Sequence, residues 1–290
     1  MSDMLKPENR TVKGWSDYAL LDSGEGMKLE RFGDLTLARP DTQAIWQKHS
    51  PKEWREADAT FSLKEGKGRW QKKASAPERA LMSFGDVQFS IRLGSFKHIG
   101  VFPEQADNWR FIKEQVEKQK EPKVLNLFGY TGVATLVAAK AGAHVTHVDA
   151  SKQSLDLASA NAGLSELPKD RVRWIPDDAL AFVKREARRG TRYDGIVLDP
   201  PAFGRGAKGQ VWHIEQDLPK LLVVLKDLLS EKPSSFLVLN GYAAGYSATT
   251  FSQLVLEQFP TLKGTYGELL LAEENGNRQL PSGIYVRGQI

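Results

Sequence analysis

Between Lys123 and Asp149 the spacing of apolar and polar positions changes twice. Val124-Leu125-Asn126-Leu127-Phe128 is an apolar-rich run without alternation, the pattern of a strand buried on both faces of a parallel sheet. Gly129-Tyr130-Thr131-Gly132 predicts a tight turn, after which Val133, Leu136, Val137 and Ala141 recur at helical spacing among alanines. Gly142 stops that helix, and His144-Val145-Thr146-His147-Val148 predicts a second strand ending in Asp149. The whole is a βαβ unit with small residues at its first turn and a carboxylate at the tip of its second strand.

The same alternation continues downstream. Helices are expected over Ser151–Asn161 (Ser151 as N-cap), Ala179–Arg189, Glu215–Leu229 and Thr249–Gln258, with strands at Val172–Ile175, Tyr193–Leu198 and Phe236–Leu239. Glu268–Ala272 and Gly283–Val286 read as a closing antiparallel hairpin. Upstream, Trp109, Ile112 and Val116 predict a helix closed by Lys118–Lys120 and Pro122. Before it the signals are strand-like. Val87–Leu93 alternates with period two, Arg31–Leu35 reads as a hairpin corner, and Thr60–Leu63 with Arg69–Gln71 flank a Lys-Glu-Gly-Lys-Gly turn. Residues 1–17 are polar and broken by Pro7 and Gly14, so a loose segment is expected there. The fold class is therefore α/β, a doubly wound, mostly parallel sheet with an antiparallel C-terminal hairpin, preceded by a small antiparallel β domain. The expected division is 1–94 and 95–290.

In an open parallel sheet ligands sit off the carboxyl ends of the strands, so the residues there carry the chemistry. The first tip supplies Asn126 to Gly132 and a helix N-terminus suited to an anion. It lacks the second glycine of G-x-G-x-x-G, with Tyr130 in the way, and no G-x-x-x-x-G-K-[ST] occurs. A nucleoside bearing a carboxylate fits better than one bearing phosphates, which points to S-adenosylmethionine. Asp149 is placed to accept both ribose hydroxyls, capping of the next helix being the bland alternative. Asp177 and Asp178 end the third strand, one suited to the exocyclic amine of adenine and one to capping. Asp199-Pro200-Pro201-Ala202-Phe203 ends the fourth. Two prolines fix φ and make a rigid corner, where the Asp199 carboxylate and the Pro200 carbonyl can hold a planar NH2 group. Phe203 could stack on a base.

At LNLFGYTG, Asp149 and Asp199-Pro200-Pro201 the sequence resembles the class I (Rossmann-like) methyltransferases. With FKHIGVFPEQ, VDAS, DPPAF and NRQLPSGIYVR added, it resembles the bacterial 23S ribosomal RNA methyltransferases of the large-subunit I and K/L group over about residues 85–290. The resemblance implies a seven-stranded sheet and S-adenosylmethionine held by Phe102, Gln105, Asn126, Phe128, Gly129, Tyr130, Thr131, Gly132, Asp149, Ala150, Ser151, Asp177, Asp178 and Ala179. Asp178 is favoured for adenine, because the family's matching acid sits just before the helix. It also implies Lys97 or His98 near the substrate, and catalysis by Asp199, Pro200, Pro201 and Phe203. Ile99 stands where the family usually has threonine, and no arginine follows Gln105.

Composition then narrows the reaction. The 290 residues contain no cysteine, which excludes disulfides, cysteine-ligated zinc and the thiol adduct needed for C5 methylation of cytosine, leaving N-methylation of an exocyclic amine. The five histidines show no metal-ligand spacing, so no metal site is inferred. A net charge of +4 favours an anionic partner such as RNA. Lys64, Lys67, Arg69, Trp70, Lys72 and Lys73 interleave an aromatic with cations on a predicted hairpin, a phosphate-tracking surface or a solvated loop. Lys184, Arg185, Arg188, Arg189 and Arg192 lie at a helix C-terminus, where the dipole favours them anyway. No run reaches the ~18 apolar residues that cross a bilayer, and residues 1–10 show no leader, so a cytoplasmic protein is expected. A methyltransferase of small molecules or proteins, and an RNA-binding relative without catalysis, stay open, as does the oligomeric state.

Overall fold

The computed structural model describes residues 4–64, 67–206, 209–242 and 245–290; the side chains at 64, 67 and 205 also lie outside the description. In chain order the strands and helices begin with β1 (Leu5–Pro7), β2 (Arg10–Thr11), β3 (Tyr18–Gly24), β4 (Met27–Phe32), β5 (Leu35–Pro40), α1 (Pro51–Glu56), β6 (Ala59–Lys64), β7 (Lys67–Lys72), β8 (Arg79–Phe84) and β9 (Val87–Arg92). The second half holds α2 (Ala106–Glu117), β10 (Lys123–Leu127), α3 (Val133–Lys140), β11 (His144–Asp149), α4 (Lys152–Leu164), β12 (Val172–Pro176), α5 (Ala179–Arg188) and β13 (Gly195–Leu198). It continues with β14 (Phe203–Arg205), β15 (Val211–His213), α6 (Ile214–Leu228), β16 (Phe236–Gly241), α7 (Ala248–Gln258), β17 (Lys263–Ala272) and β18 (Gln279–Gln289).

The chain forms two compact units. One comprises residues 1–10, 108–269 and 283–290; the other comprises 11–107 and 270–282. This differs from a single boundary after residue 94, because β17 and β18 are long enough for the tip of their hairpin to join the second unit. No described helix is long and apolar enough to cross a membrane.

The first unit is built on a mostly parallel sheet in the order β1-β17-β18-β16-β13-β10-β11-β12, with β2 also on β17. β10 pairs in parallel with β11 and β13, β13 with β16, and β18 runs antiparallel to β16. The sheet has nine strands rather than seven. The two extra come from the N-terminal stretch expected to be loose, where Leu5–Pro7 pairs in parallel with Gly264–Tyr266. Gly267 makes this possible, since a Cβ there would lie 2.1 Å from the Glu8 carbonyl oxygen. Strands buried on both faces explain the unbroken apolar runs. Leu125 and Leu127 join the core that holds α5, α6 and α7, while Val124 faces the opposite core with Ile112 and Val116 of α2.

The second unit holds a five-stranded sheet β3-β4-β5-β6-β7 and the β8–β9 hairpin. It is not wholly antiparallel, for β5 and β6 pair in parallel through Leu37–Ala59 and Ala38–Thr60. A parallel neighbour needs a crossover, and the connection carrying α1 supplies it. Its centre is charged: Glu30, fully buried, takes Arg39 through both oxygens at 2.7 and 2.9 Å and the Tyr18 hydroxyl at 3.0 Å. Asp22, His49 and Glu273 also converge with metal-ligand spacing. Arg278 already fills that cluster, donating to Asp22 Oδ1, Glu273 Oε2 and His49 Nδ1.

Candidate active site at the carboxyl ends of the strands

Register fixes what stands beside what. Leu127 pairs with Val148 on one side and Leu198 on the other, and Leu198 pairs with Leu239. The next residue of each strand is therefore level with its neighbours, so Asp149, Phe128, Asp199 and Asn240 line one end of four adjacent strands. The two key carboxylates flank the glycine turn.

That turn is strained. Phe128 (φ 57°) and Tyr130 (φ 51°) are non-glycine residues in the left-handed region, followed by Gly132 at φ 90° as N-cap of α3. Such a conformation costs of order 1–3 kcal/mol per residue and persists where its surroundings enforce it. Here they do. The Asp149 carboxylate accepts Tyr130 N–H at 2.9 Å through Oδ2 and Ser151 N–H at 2.8 Å through Oδ1. Burial raises the Asp149 pKa, and these two hydrogen bonds oppose the rise. Each oxygen keeps a lone pair for a hydroxyl. Capping of α4 falls to Ser151, whose Oγ accepts Ser154 N–H at 3.2 Å, so Asp149 is not spent on that task. No side chain caps α3, which leaves its first backbone N–H groups suited to a carboxylate. An anionic end at α3 and hydroxyls at Asp149 match the donor and acceptor set of S-adenosylmethionine.

Beneath the turn lies a support that sequence reasoning missed. Asn126, buried, does not face outward; its Nδ2 donates to Thr135 Oγ1 at 2.8 Å, and that oxygen lies 2.8 Å from His147 Nδ1. His147 is fully buried, 4.9 Å from the Trp174 ring, and burial pushes its pKa down to about 3, so the imidazole is neutral. Its Nε2 meets no hydrogen-bond partner among the described residues. The ring edge lies directly under Gly129, where an added Cβ would come within 2.4 Å of Cε1. This contact explains why the turn begins with glycine. Thr131 is also buried, and its carbonyl takes Asn161 Nδ2 at 3.0 Å.

At the third tip both aspartates have partners. Asp178 caps α5, its Oδ1 taking Ala181 N–H at 2.8 Å, while Asp177 pairs with Arg185 and accepts the Asp178 N–H at 2.9 Å. Asp178 thus performs the alternative role weighed for it, leaving Oδ2 for a ligand; Ala179 begins the helix. The basic run after it is structural as well, Arg189 pairing with Glu186 and Arg192 with the Asp227 carbonyl.

At the fourth tip Pro200 is buried, whereas Pro201 and Phe203 are exposed. The corner runs into the β14–β15 hairpin, in which Phe203 pairs with His213, their rings 5.1 Å apart and edge-on. Trp212 locks this hairpin. Its Nε1 donates to the Pro201 carbonyl at 2.7 Å, and its ring lies 4.9 Å from Phe128. Sequence reasoning also passed over Asn240, whose Oδ1 takes Asn108 Nδ2 at 2.7 Å in a buried chain that ends on Arg287. A polar residue closing an apolar strand was the available signal.

Phe102 and Gln105 belong to the second unit. Phe102 packs 5.3 Å from the His98 ring and precedes the 3-10 turn Pro103–Gln105, in which Gln105 is buried. Trp70 is not a surface aromatic, being buried with its Nε1 on the Phe96 carbonyl. Lys72 pairs with Glu78, and Lys73 donates to the Glu56 carbonyl. The side chains of Lys64 and Lys67 lie outside the described residues.

Residues 77–251 match the family described as S-adenosylmethionine-dependent methyltransferase. A crystal structure of the S-adenosylmethionine-dependent methyltransferase from Agrobacterium tumefaciens is 40% identical, covering 100% of this chain and 96% of its own, with a TM-score of 0.92. The chain is 36% identical over 139 residues to ribosomal RNA large subunit methyltransferase K/L of Syntrophotalea carbinolica, covering 48% of this chain and 19% of that protein. It is 32% identical over 153 residues to ribosomal RNA large subunit methyltransferase I of Pseudoalteromonas translucida, covering 51% of this chain and 37% of that one. The match thus spans well under half the length of either curated relative.

Proposed function

Since the chain belongs to the S-adenosylmethionine-dependent methyltransferase family, whose model matches residues 77–251, we propose that it methylates an exocyclic amine of a base in ribosomal RNA, in the cytoplasm. The observation that carries this reading is the level placement of Asp149 and Asp199 on either side of the strained turn. S-adenosylmethionine supplies, when bound, a methyl group on a positively charged sulfur. The chain's own residues supply alignment. The backbone of the Phe128–Gly132 turn and the first turn of α3 hold the carboxylate, Asp149 holds the ribose hydroxyls, and Asp178 Oδ2 is free to take the adenine amine.

On the substrate side the corner is stiffened by two prolines and by the Trp212 bond to the Pro201 carbonyl. The Asp199 carboxylate accepts one N–H of the substrate amine, which fixes the nitrogen and aims its lone pair along the line of displacement; Phe203 offers its half-exposed ring to the base. Alignment of this kind is the main demand of an in-line transfer. Without a cysteine, addition of a thiol to a pyrimidine ring is not open to this chain. The names of the relatives point to large-subunit ribosomal RNA as substrate.

The test is direct. Unmodified large-subunit RNA is incubated with purified protein and S-adenosylmethionine, digested, and its nucleosides weighed by mass spectrometry. A gain of one methyl on the exocyclic nitrogen of a base is expected. A methyl on carbon or on ribose would overturn the amine assignment, and an unchanged profile would overturn the RNA assignment.

A further inference from the structure

The segment Gly94–His98 is exposed throughout, yet its backbone is tied to the interior of the second unit. Trp70 donates to the Phe96 carbonyl at 3.0 Å and Arg39 to the Lys97 carbonyl at 3.2 Å. Both donors are buried, and Arg39 is itself clamped on Glu30. The following residue, Ile99, is buried, and its carbonyl takes the Arg92 N–H at 2.8 Å. Against this anchored backbone Phe96 leaves 74% of its surface in water. Flexible loops shed large apolar side chains into solvent at little cost, whereas a ring on a backbone held by hydrogen bonds from two buried donors is kept ready for a partner.

The surroundings say what kind of partner. Lys97 and His98 follow Phe96, and the exposed guanidiniums of Arg69 and Arg92 belong to the strands that hold the segment from either side. Neither arginine meets a carboxylate among the described residues, and the run 94–98 contains none. His98 is pushed down to about 4 by burial and then by the cations Lys97, Arg39 and Lys28, so the local field is positive despite Glu30 and Asp41 nearby. A rigid exposed ring amid unpaired cations fits a nucleobase and its phosphates.

We propose that Phe96 is a stacking platform for an unpaired base of the RNA substrate, with Lys97, Arg69 and Arg92 tracking the adjoining phosphates. This rests on the RNA reading above and assigns the second unit a share in binding RNA. It also replaces the aromatic suggested by sequence, since Trp70 serves as the anchor and Phe96 as the contact.

The experiment measures binding of a fluorescent, mixed-sequence single-stranded RNA to the full chain by anisotropy. Cofactor affinity is measured in parallel by calorimetry, and Tm is recorded for each variant. Phe96→Ala should weaken RNA binding by about 5- to 150-fold, with Phe96→Trp restoring it and cofactor affinity unmoved. Lys97→Ala should lower the slope of log affinity against log salt by about 0.7. Ultraviolet cross-linking of wild type should place the RNA adduct on the peptide containing Phe96, and this decides the matter if Phe96→Ala loses Tm. Wild type that binds RNA with Phe96→Ala equal to it, or an adduct that maps elsewhere, removes the platform and leaves the methyltransferase reading standing. Wild type that binds no RNA removes both the platform and the RNA reading.

Discussion

Two loops at the same end of the sheet are held in opposite ways. The Phe128–Gly132 turn is supported from below by a buried polar chain, Asn126–Thr135–His147, and from the side by Asp149, which takes its backbone N–H. The Asp199–Phe203 corner has prolines in its own chain and one aromatic brace, Trp212, while Pro201 and Phe203 face solvent. The first arrangement resembles a core, close-packed over a neutral polar chain; the second resembles the rim of an interface. A preformed turn suits a small ligand of constant shape. A braced but open corner suits a larger substrate whose target must be brought to it. Each half of this contrast can be broken separately.

The largest effect is expected at the open corner. Asp199→Ala should lower kcat for methyl transfer by at least about 100-fold, since misplacing the nucleophile is costly, while cofactor affinity measured by calorimetry stays within a few-fold. Equal loss of both would erase the division between the loops. Next comes acid sensitivity at the buried support. His147 in the folded chain titrates near 3, below its ordinary 6.5, so the unfolded state binds the proton first. The stability it confers is complete above pH 6.5 and drains as pH falls toward 3, by roughly 1.4 kcal/mol per pH unit. His98 acts in the same direction and Glu104, raised to about 6, in the opposite one, so the quantity to follow is the difference between wild type and His147→Leu. That difference, from urea melts at a series of pH values, should shrink steadily below pH 6.5; a constant difference would refute the assignment.

Smaller is the packing under the turn. Gly129→Ala should cost about 1–3 kcal/mol by overpacking and weaken cofactor binding, and His147→Ala in the same chain should return part of both losses. Additive losses in that double-mutant cycle would mean the ring does not set the height of the turn. Smallest is the brace. Trp212→Phe keeps the ring beside Phe128 but drops the bond to Pro201, worth about 0.5–1.5 kcal/mol. A rise in KM for RNA of about 2- to 10-fold, with the cofactor unaffected, is the expected reading in steady-state kinetics.

How much of this was legible in the sequence followed from how far each signal reached along the chain. The βαβ unit was plain, because strands buried on both faces must be apolar throughout and the acid at Asp149 falls where the second strand ends. The β14–β15 hairpin was not, since Phe203–Arg205 and Val211–His213 are three-residue strands whose partner is each other and whose lock, Trp212, acts across the turn. The crossover through Pro51–Glu56 escaped because six residues, four of them charged and only Trp54 large and apolar, carry no amphipathic period, and with it went the parallel pairing of β5 and β6. Asn126 was read as a cofactor contact and His147 as an ordinary member of its strand, for nothing local reveals that Thr135, in the helix between them, joins both. The exposed Phe96 was likewise invisible as a contact until the Trp70 bond fixed where its ring had to go.

The short parallel pairing of Leu5–Pro7 with Gly264–Tyr266 has a practical side. It covers the outer rim of β17, a row of backbone donors and acceptors that any extended peptide could otherwise join. Proteolysis just before Glu8 would strip off that cover while leaving the Asp199–Phe203 corner intact. Nicked protein should then self-associate through the bared ladder, and storage conditions that prevent such clipping should keep preparations monodisperse.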